Sequence, residues 1–190
     1  MNKIWFSADH HFGHKRISEL ADRPFTSVGE MDIALMQAWN EKVGPDDTVY
    51  HLGDFCFGKK KEFVKYVTRL NGAIRVIKGN HDHWMSQKDI DKKVVCYQDE
   101  PVLTKSGHFI MVLPLIVNLK PIDLGCEKYI TLCHFPMRSW DRSHYGAYHL
   151  YGHVHGYSLT LGKSMDVGVD ATDDYGVVSL GSVLEQLDIT

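Results

Sequence analysis

Five short apolar runs in the sequence each end in side chains that can bind a metal ion, and this pattern limits the folds open to the chain. The runs cover residues 4–6, 48–52, 73–77, 130–133 and 149–151, and their length and composition are typical of buried strands. They lead into the following potential ligands: Asp9, His11, Asp54, Asn80, His81, His134, His153 and His155. In open α/β sheets, ligands collect beyond the carboxyl ends of the strands, so we expect these side chains to converge on one cleft.

Between these runs, the first half of the sequence predicts helices. Ser27 and Glu30 have the spacing of a capping box, and apolar residues at intervals of four over residues 31–43 predict an amphipathic helix. A second helix is predicted within residues 59–70. Strand, helix and strand in this order indicate a βαβ unit. After residue 94, short β-favouring runs predict an antiparallel or mixed arrangement.

The length and composition predict one globular domain over residues 1–190. The chain has 44% hydrophobic and 24% charged residues, which is enough apolar material for a substantial core. Its formal net charge of -3 gives no broad attraction to nucleic acid or anionic lipid, although this net charge is compatible with a local basic patch. The net charge therefore does not indicate a nucleic-acid partner, and we expect no membrane partner. The sequence leaves the oligomeric state open.

The four cysteines are widely spaced and form no Cys-x-x-Cys pair. This spacing argues against a thiolate zinc site or a thioredoxin-like motif, so we expect reduced thiols. The longest apolar run, residues 109–117, contains Pro114 and is far too short to span a bilayer. Asp9 follows the first apolar run too early for the core of a signal peptide, so a cytoplasmic location is expected.

Two histidines in the stretch Gly152-His153-Val154-His155-Gly156 stand one residue apart between glycines. Alternation along an extended backbone would point both imidazoles into one space, and the same holds for Asp9 and His11. Taken alone, the stretch also fits a histidine-rich surface turn. The potential ligands from the five strand ends are imidazole, carboxylate and amide groups. This set favours a labile catalytic pair of Mn, Fe, Zn, Ni or Mg ions over a structural zinc. So many ligands are too many for one ion and suit two.

Five short blocks contain these ligands: Asp9-His10-His11, Gly53-Asp54, Gly79-Asn80-His81-Asp82, His134 and Gly152-His153-Val154-His155. In this order the set resembles the calcineurin-like metallophosphoesterases, whose blocks are Asp-x-His, Gly-Asp, Gly-Asn-His-Asp/Glu, a lone His and Gly-His-x-His. The resemblance spans residues 4–156, and residues 9–14 and 21–25 are similar to a compact bacterial and phage subgroup. In one departure from the pattern, Phe55 rather than a polar residue follows Gly-Asp.

The resemblance implies a fold and a reaction. The fold is a four-layer α/β/β/α sandwich, in which two mixed sheets pack face to face between helices and the metals lie at one edge. The implied ligands are Asp9, His11, Asp54 and His155 for one cation, and Asp54, Asn80, His134 and His153 for the other, with Asp54 as the bridge. A hydroxide shared by two cations, with manganese as the leading expectation, would hydrolyse a cyclic nucleotide or another small phosphodiester. His81 would act as general acid, with Asp82 as its orienting partner.

Three further residues are candidates for contact with the substrate: Arg23, Arg138 and His14. Arginine can present two donors to one phosphate, which makes Arg23 and Arg138 candidates for a phosphate clamp. The alternatives are a solvated arginine at either position, and for His14 packing or support of a metal ligand.

Three other functions fit the same blocks: a nuclease, a phosphomonoesterase, and a non-catalytic scaffold with the metallophosphoesterase fold. A nuclease needs a path for nucleic acid, and the sequence offers neither a strong positive charge nor a capping domain for one. A scaffold need not keep His81 or every metal ligand, whereas this chain has all of them.

Overall fold

The computed structural model describes residues 2–157 and 161–188. The strands are β1 (Ile4–Ser7), β2 (Thr48–His51), β3 (Ala73–Val76), β4 (Cys96–Tyr97), β5 (Glu100–Pro101), β6 (Met111–Val112), β7 (Ile116–Leu119), β8 (Ile130–Cys133), β9 (Tyr148–Tyr151), β10 (Ser164–Asp166) and β11 (Val178–Ser179). The helices are α1 (Ile17–Leu20), α2 (Val28–Lys42), α3 (Lys60–Val67), α4 (Gln87–Lys92), α5 (Pro121–Leu124) and α6 (Leu180–Asp188), and 3-10 turns lie at Ser143–Tyr145 and Val169–Ala171. Across these two ranges, no helix has the length and apolar character needed to cross a membrane.

Most of the strands belong to two mixed sheets. The first has the order β11-β1-β2-β3-β6, in which β11 is antiparallel and the other neighbours pair in parallel. The second has the order β10-β9-β8-β7, in which β7 is antiparallel. β4 and β5 form a separate hairpin. The predicted α/β class with two mixed sheets is therefore confirmed.

The register of the first sheet aligns the ends of its parallel strands. Ser7 on β1 pairs with His51 on β2, which in turn pairs with Val76 on β3. The carboxyl ends of these strands therefore meet at one edge of the sheet, where the polar loops begin. In the second sheet, β8 and β9 also run parallel, with Leu132 beside Leu150.

Helix α2 covers the outer face of the first sheet. Its first turn is capped by Ser27, whose hydroxyl accepts a hydrogen bond from the backbone N–H of Glu30. Leu35 and Trp39 are fully buried and belong to the same apolar cluster as Val49 of β2. The capping box and the four-residue spacing thus predicted this helix within a residue at each end.

A second apolar cluster fills the space between the two sheets. Alternation along β1 sends Trp5 to the helices and Phe6 to this cluster, where it meets Leu132 and Leu150 from the second sheet. Phe6, Leu132 and Leu150 are each 0% exposed. Burial of a large apolar side chain contributes about 1.5–3 kcal/mol, so the cluster fixes the two sheets face to face.

The outer face of the second sheet is covered by a loop rather than by a long helix. His149 points to this face, because its neighbours Tyr148 and Leu150 belong to the cluster between the sheets. The ring of Trp140 lies 5.3 Å from that of His149, and its Nε1 donates to the backbone oxygen of Ala147. Helices α5 and α6 contribute side chains to the cluster between the sheets. The helical layer on the outer face of the second sheet is therefore thinner than the resemblance to the metallophosphoesterases implies.

Two buried histidines lie beneath the ends of β1 and β2. Nδ1 of His10 is 3.0 Å from Nε2 of His51. The backbone N–H of Gly53 donates to Nδ1 of His51, so His51 carries its proton on Nε2 and donates to His10. Burial lowers the pKa of both imidazoles, that of His51 to about 3. The pair is therefore a neutral part of the core, and His10 is a packing residue rather than a substrate contact.

Gly72 provides a test of how tightly the chain is held between α3 and β3. Its φ is +89°, and a Cβ there would lie 2.8 Å from Cγ1 of Val43 and 2.9 Å from the backbone oxygen of Asp47. We expect Gly72→Ala to lower the free energy of unfolding by about 2–5 kcal/mol, since positive φ costs an alanine about 1–2 kcal/mol and a forced repacking about 1–3 more. Gly125→Ala is the matched control, because its φ is +66° but a Cβ meets nothing within 4 Å. Equal losses for the two variants in urea denaturation would contradict the clash at Gly72.

Candidate metal centre

The predicted ligands lie where strands of both sheets end. Asp9 and His11 follow β1, Asp54 follows β2, Asn80 follows β3, His134 follows β8, and His153 and His155 follow β9. The loops after β1 and β2 continue to pair beyond the strands, since the backbone N–H of Asp9 donates to Gly53 and that of His11 donates to Asp54. The structure brings all seven side chains together at these strand ends.

The side chains form two adjoining groups. The first group is Asp9, His11 and His155, and the second is Asp54, His134 and His153, with the ligand atoms of each group within 4.8 Å of one another. Oδ2 of Asp54 lies 3.5 Å from Nε2 of His11 and 3.5 Å from Nε2 of His134, so this carboxylate stands between the groups. Oδ1 of Asn80 lies 2.9 Å from Nε2 of His134, beside the second group. The two closely spaced histidines, His153 and His155, belong to different groups.

Five of the ligand residues have a left-handed backbone. Their φ angles are 58° at Asp9, 50° at His11, 56° at Asp54, 73° at His153 and 48° at His155. The expectation of an extended backbone, in which residues two apart share a face, was therefore wrong. Such a conformation costs a residue with a Cβ about 1–2 kcal/mol and persists where surrounding contacts fix it, as at functional sites.

Glycines allow the ligand loops to approach one another closely. A Cβ on Gly152 would lie 2.5 Å from Oδ2 of Asp9, and a Cβ on Gly79 would collide with Oδ1 of Asp54. The backbone N–H of His153 donates to the same Asp9 oxygen at 2.8 Å. The glycines in the blocks are thus required by contact between the loops themselves.

Buried polar atoms of the first group lack hydrogen-bond partners. Within residues 2–157 and 161–188, these atoms include Oδ1 of Asp9 and both ring nitrogens of His11. Burial raises the pKa of Asp9 to about 7 and lowers the pKa of His11 to about 3. Unpaired buried polar atoms cost free energy. A cation would satisfy Oδ1 of Asp9 and one ring nitrogen of His11, and it would stabilise Asp9 as a carboxylate. The donors of the first group therefore fit a bound divalent ion.

The ring nitrogens that face away from the groups are held by acceptors. Nδ1 of His134 lies 2.8 Å from the backbone oxygen of Leu52, and Nδ1 of His155 lies 2.6 Å from Oδ2 of Asp170. Each contact turns Nε2 towards the candidate ligands, where Nε2 of His134 already lies 2.9 Å from Oδ1 of Asn80. Burial lowers the pKa of both histidines, but hydrogen bonds to carboxylates outweigh it, from Asp54 at His134 and Asp170 at His155, so both pKa values are raised. A cation binding to Nε2 would displace these protons.

His81 lies beside the groups without belonging to either. Its imidazole is half-buried, with its ring centre 5.3 Å from that of His11. Its backbone N–H donates to Oδ1 of Asp54 at 2.8 Å. The position of His81 is therefore tied to the carboxylate between the groups.

Asp82 anchors the backbone, which corrects the expectation that it orients His81. Its carboxylate is fully buried and accepts four hydrogen bonds at 2.7–2.9 Å. The donors are the backbone N–H groups of Asp54, Phe55 and Gly79 and the indole N–H of Trp84. Among the described residues, no hydrogen bond joins Asp82 to the imidazole of His81. Asp82 fixes the loops after β2 and β3 instead.

Arg23 does not reach a substrate, which corrects its assignment as a substrate contact. Its side chain is 0% exposed and forms an ion pair with Asp170. It also donates to the backbone oxygens of Asp9 and His10. All of its charged donors are therefore used inside the protein.

The other two predicted substrate contacts, His14 and Arg138, differ in how they relate to the two groups. His14 is half-buried, and its ring centre is 5.7 Å from that of His11, so it lies at the margin of the first group. Arg138 is exposed, and no hydrogen bond or ion pair joins it to either group in the described part of the chain.

Asp166 and Asp170 are functional residues that sequence reasoning missed. Oδ2 of Asp166 accepts from the backbone N–H of Gly156, and Oδ1 accepts from that of Gly168. Asp166 and Asp170 thus support the loop of His155. The available signal was the β-favouring run of residues 165–169, which contains Asp166 and is followed by Asp170.

Comparison with known proteins relates the chain to phage proteins. It is 31% identical to the gene 66 protein of Mycobacterium phage L5, over 90% of this chain and 88% of that protein. It is 28% identical to the gene 66 protein of Mycobacterium phage D29, over 92% and 91%. An 84-residue stretch is 42% identical to an uncharacterized protein of Methanocaldococcus jannaschii, over 43% of this chain and 48% of that one. No protein-family model matches the chain.

A solved structure supports the fold. It is that of a protein of unknown function from Aquifex aeolicus, which superposes with a TM-score of 0.66 over 98% of this chain and 100% of that one. The two sequences are 21% identical, so the likeness concerns the fold alone.

Substitution of Asp82 separates an anchoring role from a catalytic one. In Asp82→Asn, the amide NH2 group would face N–H donors, so buried hydrogen bonds to a charged acceptor would be lost. We expect the metal-free variant to lose about 2–4 kcal/mol of unfolding free energy, measured by urea denaturation in a chelator. Asp91→Asn, on an exposed residue, is the matched control and should change stability by less than about 0.5 kcal/mol. Wild-type stability of Asp82→Asn would show that the anchoring role is wrong.

Proposed function

We propose that this chain, which belongs to the family of the gene 66 protein of Mycobacterium phage L5, is a phosphoesterase that uses two divalent metal ions. The observation that carries the proposal is the position of Asp54. Its Oδ2 lies 3.5 Å from Nε2 of His11 in the first group and 3.5 Å from Nε2 of His134 in the second. A carboxylate so placed suits two cations about 3.5–4 Å apart. The resemblance of the five blocks to the calcineurin-like metallophosphoesterases supports the same function.

The chemistry of the donors suits such a pair of ions. The proposed ligands are Asp9, His11, Asp54 and His155 on one side, and Asp54, Asn80, His134 and His153 on the other. Imidazole, carboxylate and amide donors suit manganese, which we propose first, as well as Fe, Zn, Ni or Mg. When bound, the two ions would supply the positive charge that activates water and polarises the phosphoryl oxygens.

His81 is the residue that we assign to proton donation. Its half-buried imidazole adjoins the ring of His11 and is not needed as a ligand of either group. Its backbone is tied to Asp54, so its distance from a phosphorus atom held between the ions would be well defined. A proton from His81 would pass to the leaving-group oxygen as the phosphorus–oxygen bond breaks.

The substrate that we propose is a small phosphodiester, such as a cyclic nucleotide. An alkoxide leaving group needs a proton, and His81 is placed to supply it. His14, at the margin of the first group, is the side chain that we propose as a phosphate contact. Arg23 is removed from this role by its burial.

Hydrolysis by the reconstituted protein tests the proposed function directly. We expect protein with two Mn²⁺ per chain to hydrolyse bis(p-nitrophenyl) phosphate faster than p-nitrophenyl phosphate, because the proposed substrate is a phosphodiester. Both compounds release nitrophenolate, so the comparison does not depend on protonation of the leaving group. Chelation should abolish both rates, and Asp54→Asn should reduce both metal content and turnover. Absorbance assays with parallel metal analysis measure these effects.

Other outcomes of this assay point to the alternatives. A faster monoester rate would indicate a phosphomonoesterase. Salt-sensitive cleavage of single-stranded DNA would indicate a nuclease. Fewer than two ions per chain and no turnover would indicate a scaffold.

Substitution of His81 tests the proton donor. His81→Ala should keep two ions per chain but lower the rate on an alkyl phosphodiester by about 10²–10⁴-fold, with a smaller loss on the nitrophenyl diester. The difference arises because nitrophenolate leaves without a proton. His83→Ala, an exposed histidine two residues away, is the matched control and should retain the wild-type rate on both substrates. If His81→Ala lowered the rates on the two substrates by the same small factor, the assignment of His81 as proton donor would be wrong.

A further inference from the structure

The guanidinium of Arg23 connects parts of the chain that are far apart in sequence. Its Nε and Nη2 atoms donate to the two carboxylate oxygens of Asp170 at 2.7 and 2.8 Å. Nη2 also donates to the backbone oxygen of Asp9 at 2.6 Å, and Nη1 donates to that of His10 at 3.0 Å. The planar fork of arginine is suited to such shared use. Arg23 thereby holds the loop of Asp9 and His11 against the turn of Asp170.

Asp170 joins this ion pair to the third member of the first group. It lies in the 3-10 turn Val169–Ala171, and its side chain is 2% exposed. Its Oδ2 accepts from Nδ1 of His155 at 2.6 Å. A carboxylate paired with a guanidinium can only accept, so His155 carries its proton on Nδ1 and keeps the Nε2 lone pair that a cation needs. One buried ion pair therefore contacts the imidazole of His155 and the backbone of the loop that carries Asp9 and His11.

The second group is held by different residues. A backbone oxygen accepts from Nδ1 of His134, and the Asp82 carboxylate holds the loop of Asp54. Within residues 2–157 and 161–188, neither Arg23 nor Asp170 forms a hydrogen bond or ion pair with a side chain of the second group. Arg23 and Asp170 are therefore connected to the second group only indirectly, through the hydrogen bonds from the backbone N–H of His153 to Asp9 and from that of His11 to Asp54.

We propose that Arg23 and Asp170 are a positioning pair that sets the metal affinity of the Asp9, His11 and His155 group alone. The proposal rests on the proposed function, because it requires that both groups hold cations. In this proposal the two residues act through the His155 imidazole and the backbone oxygens of Asp9 and His10. Removal of such partners of metal-bound histidines changes metal affinity by about 10- to 100-fold.

Replacing Asp170 by asparagine changes the chemistry with little change of volume. The amide can donate to Nδ1 of His155, which permits the tautomer whose proton sits on Nε2 and blocks a cation. The guanidinium of Arg23 is also left without its buried counter-charge, so the loop of Asp9 loses its fixed support. Both effects fall on the first group.

Titration of the metal-free protein with Mn²⁺ by calorimetry measures the two sites. Wild type should bind two ions per chain, whereas Asp170→Asn should bind one ion normally and the other about 10- to 100-fold more weakly. Electron paramagnetic resonance at two equivalents should show fewer coupled Mn pairs in the variant. Asp174→Asn is the matched control, with the same chemical change on a side chain that is 55% exposed and paired with Lys42. It should titrate as wild type does.

Ligand variants identify which site is weakened. His153→Ala removes a ligand of the second group, and His155→Ala removes one of the first. Asp170→Asn should weaken the Mn²⁺ that remains in the His153→Ala background. It should have no effect on the Mn²⁺ that remains in the His155→Ala background, where its partner is already missing.

Arg23→Lys tests the other member of the positioning pair. Lysine keeps the positive charge, but one ammonium cannot reach both Asp170 oxygens and two backbone oxygens at once. It should weaken the same ion as Asp170→Asn does, whereas Arg16→Lys, on a side chain 72% exposed, should not. Circular dichroism and thermal unfolding identify the folded variants, and Asp170→Asn decides the question where Arg23→Lys does not fold.

The possible failures are distinguishable. Two ions of unchanged affinity in Asp170→Asn, or an equal weakening of both, would overturn the positioning pair while leaving the proposed function in place. Fewer than two ions in the wild type would overturn the proposed function and the positioning pair together.

Discussion

Ser7, His51 and Val76 stand side by side at the carboxyl ends of three parallel strands, and the site depends on this alignment. Because the strands end at the same level, the loops that follow lie against one another and exchange backbone hydrogen bonds. A shift of one residue would turn the apolar face of a strand away from its core, so packing of both sheet faces fixes the register. The second sheet then brings its own polar loops to the same edge.

Gathering carboxylates and imidazoles at a buried edge costs free energy, and the surrounding residues offset much of that cost. Asp82, Asp166 and Asp170 each accept at least two hydrogen bonds from neighbouring loops or side chains. These contacts also hold the left-handed residues in place. The polar atoms left unsatisfied at Asp9 and His11 are concentrated where a cation would bind. Among the described residues, the other buried side-chain atoms without a partner are Oγ of Ser7 and Nε2 of His10, in or next to the same loop.

The side chains that meet at the candidate metal centre could be predicted from sequence, because an apolar run and the polar residues after it are local features. Helix α2 was predictable for the same reason, since its cap and its buried face lie within one short segment. Arg23 and Asp170 could not be paired, because 147 residues separate them and one sequence carries no record of distant contacts. The backbone at Asp9 and His11 was mispredicted because alternation applies only within a strand, and β1 ends at Ser7.

The first group draws Asp9 and His11 from one end of the described chain and His155 from near the other. During synthesis, a ribosome that has made 150 residues has released the Asp9 loop without its third ligand or the Asp170 carboxylate. The strands β1, β2 and β3 can pair by then, because their residues lie within the first 76. The first group and its support can therefore be completed only after residue 170 has been made, and a cation held there would connect an early segment of the chain to a late one.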